Sequence, residues 1–247
     1  MTDVALEVID HVAVLRLTAP QRRNALTPAM AADIVAAVDQ VDRQSDIGAL
    51  IVTGGPAFCA GGDLGTLTRA SADPLEAGNF DAVDSIYRTF VRIGAAAPPT
   101  IAAVRGAAVG AGLNLALAAD LRVVARDAKL IAGFARIGVH PGGGHFGLLA
   151  RVAGREATAA ATLFGEQLSG ERAVQLGIAW TAVDDEDVEP TAMALARTVA
   201  QDPPLARRMA ASFRMQANPP GVAWDLAVEL ERSAQLWSFR RRSGRSF

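Results

Sequence analysis

The sequence predicts an α/β protein: a spiral of similar strand, glycine-turn and helix units followed by a mostly helical C-terminal part. Three observations predict it. Short runs rich in β-formers recur at residues 4–8, 12–17, 49–52, 100–104, 121–125 and 179–183. Glycine-rich turns follow two of these runs and lead into a polar segment in one case and a helical one in the other. After about Asp184 the pattern turns mostly helical, which divides the chain into a core over residues 1–185 and a helical region over residues 186–247. Sequence identity between the units is too low for periodicity alone to define a repeat. A chain of 247 residues can bury a large core, and with 51% hydrophobic but only 5% aromatic residues that core must be filled by alanine, valine and leucine.

Taken in order, residues 4–8 and 12–17 flank Asp10-His11 and read as a hairpin. Residues 28–41 carry Met30, Ile34, Val38 and Val41 at helical spacing, with Thr27 as N-cap and Pro28 at the first helical position. Residues 49–52 form a buried strand that ends in the first glycine turn. Residues 63–79 are polar and weakly patterned, as expected of a mobile loop or short helices. A helix over residues 80–93 is closed by Gly94 and Pro98-Pro99. Residues 100–104 are the next buried strand, residues 106–112 the second glycine segment, residues 113–119 an apolar helix and residues 121–125 another strand. Residues 132–147 are glycine-rich around Pro141, and residues 148–152 and 156–164 read as helical. Ser169 is the expected cap of a helix opening at Gly170-Glu171-Arg172. A last strand at residues 179–183 precedes helices over residues 188–201, 204–216 and 222–239.

Whole-chain properties exclude several classes. Basic and acidic residues nearly balance, 24 against 26, so there is no global attraction to nucleic acid or to a membrane surface. No uncharged apolar run reaches the roughly 20 residues that span a bilayer. The acidic start lacks a basic segment ahead of an apolar one, which predicts no secretory signal. One cysteine, Cys59, rules out an intrachain disulfide framework and fits a reducing compartment. The expectation is a cytoplasmic protein.

The chemistry-bearing segments are Thr53-Gly54-Gly55-Pro56-Ala57-Phe58-Cys59-Ala60-Gly61-Gly62-Asp63-Leu64 and Val109-Gly110-Ala111-Gly112-Leu113-Asn114. Glycine allows close backbone approach, so two such turns can aim two N–H groups at one oxygen, the requirement for an oxyanion hole. Ala57-Phe58-Cys59-Ala60-Gly61-Gly62-Asp63-Leu64 resembles one signature of the crotonase (enoyl-CoA hydratase/isomerase) superfamily. Arg23-Asn24-Ala25-Leu26 resembles its early element. The stretch from Pro99 to Ala125 resembles its longer signature, and Ala128-Lys129, Gly138, Pro141-Gly142-Gly143-Gly144 and Gly177 follow in family order. Several linked motifs in order make the resemblance specific.

The resemblance implies a crotonase-like spiral of ββα units with a helical C-terminal domain for trimerisation or as a lid. It also implies assembly as a homotrimer or dimer of trimers, and an acyl-CoA ligand with no prosthetic group. By position, the N–H groups of Gly62 and Ala111 would form the oxyanion hole for a thioester enolate, at the N-terminus of the helix beginning near Ala111. Arg23, Ala25, Ala60, Gly61, Asp63, Leu64 and Gly65 would line the CoA moiety, with Gly110 and Phe134 at the substrate.

The sequence departs from the family where hydratases carry two glutamates: by register it has Asn114 and Phe134. Neither can exchange a proton usefully near neutral pH. Where other members carry an aspartate, it has Gly142. His140 is the nearest replacement acid or base, against the alternative of a capping or packing histidine; Asn114 would position water or substrate. His145 is expected to open the next helix. No third ligand accompanies the two histidines, so no metal site is expected. Asp63 is expected to cap a helix, Asp120 to fix a strand start, and Cys59 to be a buried, inert thiol. Arg240, Arg241, Arg242 and Arg245 read either as a solvated basic tail or as partners for CoA phosphates. Two function classes follow: an acyl-CoA enzyme that stabilises an enolate without ordinary hydratase activity, and a non-catalytic acyl-CoA binder or carrier. A purely structural partner in a larger acyl-CoA complex is a third.

Overall fold

A computed structural model describes residues 3–217 and 224–242. The N-terminal hairpin pairs β1 (Val4–Ile9) antiparallel with β2 (Val12–Leu17). Asp10 and His11 turn between them with φ of 49° and 65°, the left-handed pair that matches the twist of a two-residue hairpin. Helix α1 (Pro28–Arg43) begins where the sequence predicts, with the Thr27 hydroxyl accepting from Met30 N–H and Pro28 in the first turn.

The chain then climbs through β3 (Ala49–Thr53), α2 (Leu64–Ala72), α3 (Ala77–Gly94), β4 (Thr100–Val104), β5 (Ala107–Val109), α4 (Ala111–Ala118), β6 (Leu121–Ala125), β7 (Lys129–Ile131) and α5 (Phe134–Ile137). Strands β3, β4 and β6 are parallel neighbours in a six-stranded sheet of order β1-β2-β3-β4-β6-β9, where β9 is Thr181–Val183. Strands β5 and β7 are parallel neighbours in a three-stranded sheet completed by β8 (Leu168–Ser169). Two successive turns of the spiral, β4-β5-α4 and β6-β7-α5, therefore each lay one strand in the large sheet, one in the small sheet, and then a helix. In the turn before them the second strand is reduced to a single bridge, Cys59 against Ala108. The consequence is spatial: α2 and α4 follow equivalent steps in adjacent turns, so their N-termini lie side by side.

The short strands β5, β7 and β8 are absent from the sequence reading because runs of two or three residues carry too little alternation to register. The weakly patterned 63–79 segment contains α2 and the first turn of α3. Asp63 caps α2, its Oδ1 accepting from Thr66 N at 2.9 Å. The two helices expected at 148–152 and 156–164 follow one another within α6 (His145–Thr162), divided where the sequence places the break, at Gly154, whose φ of 74° and ψ of 178° are not helical. It leads through β8 to α7 (Gly170–Gln175), capped by Ser169.

Three helices end the described chain: α8 (Val188–Ala200), α9 (Pro203–Gln216) and α10 (Trp224–Arg242). Helix α8 packs across β2, β3, β4 and β6. Its buried face is Val188, Ala192, Ala196 and Ala200, so the hydrophobic core continues past residue 185. Arg16 and Glu189 fasten it with two bonds of 2.7 Å. On α9, Arg207 donates to the carbonyls of Val41, Asp42, Gln44 and Ile47 and closes the C-terminal end of α1. Arg214 of α9 binds Asp120, whose Oδ2 also accepts from Thr100 N and Oγ1 at the start of β4. Helix α10 packs over α2 and α6. It runs on through Arg242, so residues 240–242 continue a helix; Arg245 and the side chains of Arg241 and Arg242 lie outside the described residues. Among the described residues no helix is long and apolar enough to cross a membrane.

Candidate functional site

The two glycine turns meet because side chains are missing where they touch. Gly61 has φ 106°, and a Cβ on it would lie 2.9 Å from Val109 O. A Cβ on Gly112 would collide with the Cys59 carbonyl oxygen. Any larger residue at either position would push the first turn away from the α4 N-terminus. Asn24 fixes the first turn from behind: its Nδ2 donates to the carbonyls of Gly54, Ala57 and Phe58 and its Oδ1 accepts from Ala19 N. Residues 23–26 run alongside residues 60–63 through Ala60 N to Arg23 O, Leu26 N to Gly61 O and Asp63 N to Leu26 O. Arg23 is exposed beside this pairing.

The pairing consumes the N–H groups of Ala60 and Asp63, and Gly110 N–H donates to Ile131 O. Among the described residues, Gly62 N–H and Ala111 N–H donate to no backbone carbonyl or side chain. Ala111 is the first residue of α4, one of the helical positions whose N–H lacks an intrahelical partner. Residues 112–118 of that helix are buried, so its N-terminal partial charge acts in a medium of low polarisability.

Gly62 and Ala111 line one cavity of about 150 Å³. Gly61, Gly110, Ala60 and Leu64 share its wall, as do Asn114, Phe134 and Gly142. The opposite wall is the face of α3 formed by Val83, Ile86, Tyr87 and Phe90, four positions at helical spacing. The far end of α10 adds Gln235. Among the described residues the lining contains no carboxylate, imidazole or cationic side chain; its polar side chains are Tyr87, Asn114 and Gln235. Asp63 lies outside the lining, occupied in capping α2.

Asn114 is buried and its amide orientation follows from its neighbours. A carbonyl can only accept, so the group 3.0 Å from Gly142 O is Nδ2. Oδ1 then faces His145 Nδ1 at 2.7 Å, which must carry the proton. His145 Nε2 is therefore bare and accepts from Thr162 Oγ1 at 2.9 Å. The chain carbonyl, amide, imidazole, hydroxyl assigns every hydrogen. Burial pushes the His145 pKa down to about 3, so the ring is neutral. Phe134 packs edge-on against it with 4.8 Å between centroids.

His145, not His140, is thus the imidazole that contacts Asn114. His140 Nδ1 lies 2.7 Å from Pro141 O, and His140 is not among the lining residues. Sequence reasoning gave His145 only the task of opening α6, which it does; its 31-residue separation from Asn114 left no local signal. Glu231 was also missed. From α10 it accepts from the N–H groups of Gly144, His145 and Phe146 at 2.9–3.1 Å, at the start of α6. Burial pushes its carboxyl pKa up against the pull of those donors. Cys59 is fully buried, its Sγ 3.0 Å from Asn24 O, with a pKa raised to about 12 by desolvation; a thiol there is inert. Among the described residues no cluster of three or more His, Cys, Asp or Glu is placed to hold a metal ion.

Spiral and site together define an enoyl-CoA hydratase/isomerase-like protein, and comparison with known proteins agrees. The enoyl-CoA hydratase/isomerase family model matches residues 7–233. The chain is 44% identical over 183 residues to "Probable enoyl-CoA hydratase EchA14" of Mycobacterium tuberculosis, spanning 74% of this chain and 70% of the relative. It is 40% identical over 191 residues to the 1,2-epoxyphenylacetyl-CoA isomerase of Escherichia coli, 76% of this chain and 72% of that one. Among solved structures, PA4980 of Pseudomonas aeruginosa superposes with a TM-score of 0.80 at 30% identity, covering 94% of this chain and 98% of its own. An enoyl-CoA hydratase from Bacillus halodurans shares the fold with a TM-score of 0.88 at 21% identity, covering 98% and 96%. The chain belongs to the enoyl-CoA hydratase/isomerase family, whose members act on CoA thioesters without a prosthetic group.

Proposed function

We propose that this protein binds an acyl-CoA with the thioester oxygen held between the N–H groups of Gly62 and Ala111, and that it stabilises the thioester enolate without working as an ordinary enoyl-CoA hydratase. The observation that carries this is a cavity with two unpaired backbone donors and, among the described residues, no carboxylate or imidazole in its wall. Two N–H groups pointing at one carbonyl oxygen hold it in the ground state and gain strength as charge develops there, each donor contributing about 3 kcal/mol in a transition state.

Hydration needs more. A base must take a proton from water and an acid must deliver one to C2. Asn114 cannot accept that proton, and its amide is already tied to Gly142 and His145. Phe134 offers none. His145 is fully buried and neutral, with both nitrogens engaged. His140 lies outside the lining and is assigned no step.

The CoA moiety would run past Ala60 to Gly65 and the adjoining Arg23 and Ala25, since that backbone pairing leads from the hole to the exposed Arg23. The missing acid and base equally favour a non-catalytic acyl-CoA carrier, which would use the same two donors. Self-association is supported by an apolar stripe on α9, Leu205, Met209 and Phe213, each more than half exposed. A single buried, inert cysteine supports a reducing, cytoplasmic setting.

The test is a calorimetric titration with CoA thioesters beside a crotonyl-CoA hydration assay. Acyl-CoAs are expected to bind, and crotonyl-CoA to be hydrated no faster than in buffer. Ala111→Pro removes one donor at the helix position that tolerates proline best, and should weaken thioester binding about 10-fold. Hydration that is fast in the native protein and lost in that variant would sink the proposal. Deuterium uptake at C2 of a bound thioester, with hydroxide from solvent taking the C2 proton because the wall supplies no base, separates the two readings: uptake marks enolate stabilisation, and its absence marks a carrier.

A further inference from the structure

Besides the two backbone N–H groups, the acyl cavity contains one side-chain polar group that nothing among the described residues satisfies. Tyr87 is the only tyrosine in the chain and is 6% exposed. Its hydroxyl has no hydrogen-bond partner among the described residues, although the ring lies in the lining of the cavity. Buried hydroxyls almost always have partners, and one left open beside a cavity points to a partner that arrives with a ligand.

Its position is defined by Gly142. A Cβ on Gly142 would collide with the Tyr87 hydroxyl oxygen and with Gln235 Nε2. Gly142, Tyr87 and Gln235 therefore converge on one patch of the cavity wall, the place where the crotonase register puts a carboxylate in other members. In this chain a phenol and an amide fill the space that such a side chain would enter. Gln235 Nε2 is turned toward His140 O at 3.4 Å. The rest of that wall is Val83, Ile86 and Phe90, which offer a ligand only apolar contact. Burial holds the phenol pKa above its ordinary value, so the group is present as O–H and can donate.

We infer that Tyr87 is a specificity-determining residue whose hydroxyl donates to an oxygen carried by the acyl group, so that the cavity selects oxygen-substituted acyl-CoAs over plain hydrocarbon ones. The inference rests on the acyl-CoA reading of the site and adds the substrate class. A site built to hydrogen-bond an oxygen discriminates strongly against the analogue lacking it, because the buried donor is then left unpaired.

The experiment compares butyryl-CoA with 3-hydroxybutyryl-CoA and 4-hydroxybutyryl-CoA by calorimetric titration, in the native protein and in Tyr87→Phe. At least one hydroxyacyl-CoA is expected to bind the native protein about 10-fold tighter than butyryl-CoA, and Tyr87→Phe should bring that ratio close to one. The substitution keeps the ring and removes an unpaired polar atom, so the melting temperature without ligand should hold or rise; a fall would show a structural role for the hydroxyl and overturn the inference. So would a native preference below about threefold for both hydroxyacyl-CoAs, or a preference that survives in Tyr87→Phe. If none of the three thioesters binds, the acyl-CoA reading of the cavity fails, and the inference with it. That outcome is distinct from equal binding of all three, which removes only the role of Tyr87.

Discussion

Asn114 shows how one residue type, correctly placed by sequence, acquires its meaning from neighbours that sequence does not reveal. Its position in the helix after the second glycine turn was legible because the motif is local. Its partners were not: Gly142 and His145 are 28 and 31 residues away. The same holds for Tyr87. The stripe 83, 86, 87, 90 is visible as a helical period, and a tyrosine in an otherwise apolar stripe is the one signal that could have marked it. That its hydroxyl would lie against Gly142 is a tertiary fact. His145 gives a prediction at this scale. The unfolded chain takes up a proton near 6.5, while the folded ring resists protonation down to about 3. The folded state is therefore favoured most above pH 6.5, and loses about 1.4 kcal/mol per unit as pH falls through that window. Urea unfolding of the native protein and His145→Gln between pH 7.5 and 5 should show a stability difference that shrinks by about 2 kcal/mol on acidification. A difference that stays level with pH would show that His145 is not the group responsible.

Among the elements, α10 was expected in the right place and its function was not. As a sequence it is a long amphipathic helix. In the fold, Gln235 reaches the cavity, Glu231 closes the start of α6, and Arg232 pairs with Asp84 at 2.8 Å while covering the Phe80 and Tyr87 rings of α3. A carboxylate accepting three N–H groups at a helix start satisfies donors that burial would otherwise leave open. Glu231→Ala is expected to cost about 2–3 kcal/mol in chemical denaturation, and to raise amide exchange in both α10 and the first turn of α6. Exchange that rises in α10 alone would mean that the cap does not couple the two helices. The short strands β5, β7 and β8 belong to the same lesson. Each is two or three residues long and exists because a neighbouring strand of the spiral offers a pairing edge.

Across the whole molecule, the spiral explains why the two glycine turns meet at one cavity. Successive turns repeat strand, strand, helix, so the N-termini of α2 and α4 come into register and their glycine turns touch. Helix α9 leaves Leu205, Met209 and Phe213 in solvent, spaced by four and hence on one face. Isolated exposed apolar residues need no explanation, but a stripe does. If α9 is a contact between copies of this chain, sedimentation should find an oligomer, and Met209→Glu with Phe213→Glu should shift it toward the monomer without lowering the monomer's helical content. A monomer at micromolar concentration for the native protein would refute the assembly.

By itself, the sequence determined the large-sheet strands, the glycine turns and the helix caps, which are local patterns set by backbone sterics; its ordered motifs, through their family resemblance, implied the spiral. It also determined that the residues beside the two glycine turns, Asn114 and Phe134, carry no useful proton. Only the tertiary structure decided what replaces them. It set His145 rather than His140 against Asn114, left the Tyr87 hydroxyl open at Gly142, and brought Gln235 of α10 to the cavity and Glu231 to the start of α6. These are long-range contacts fixed by packing, and no period or spacing along the chain encodes them.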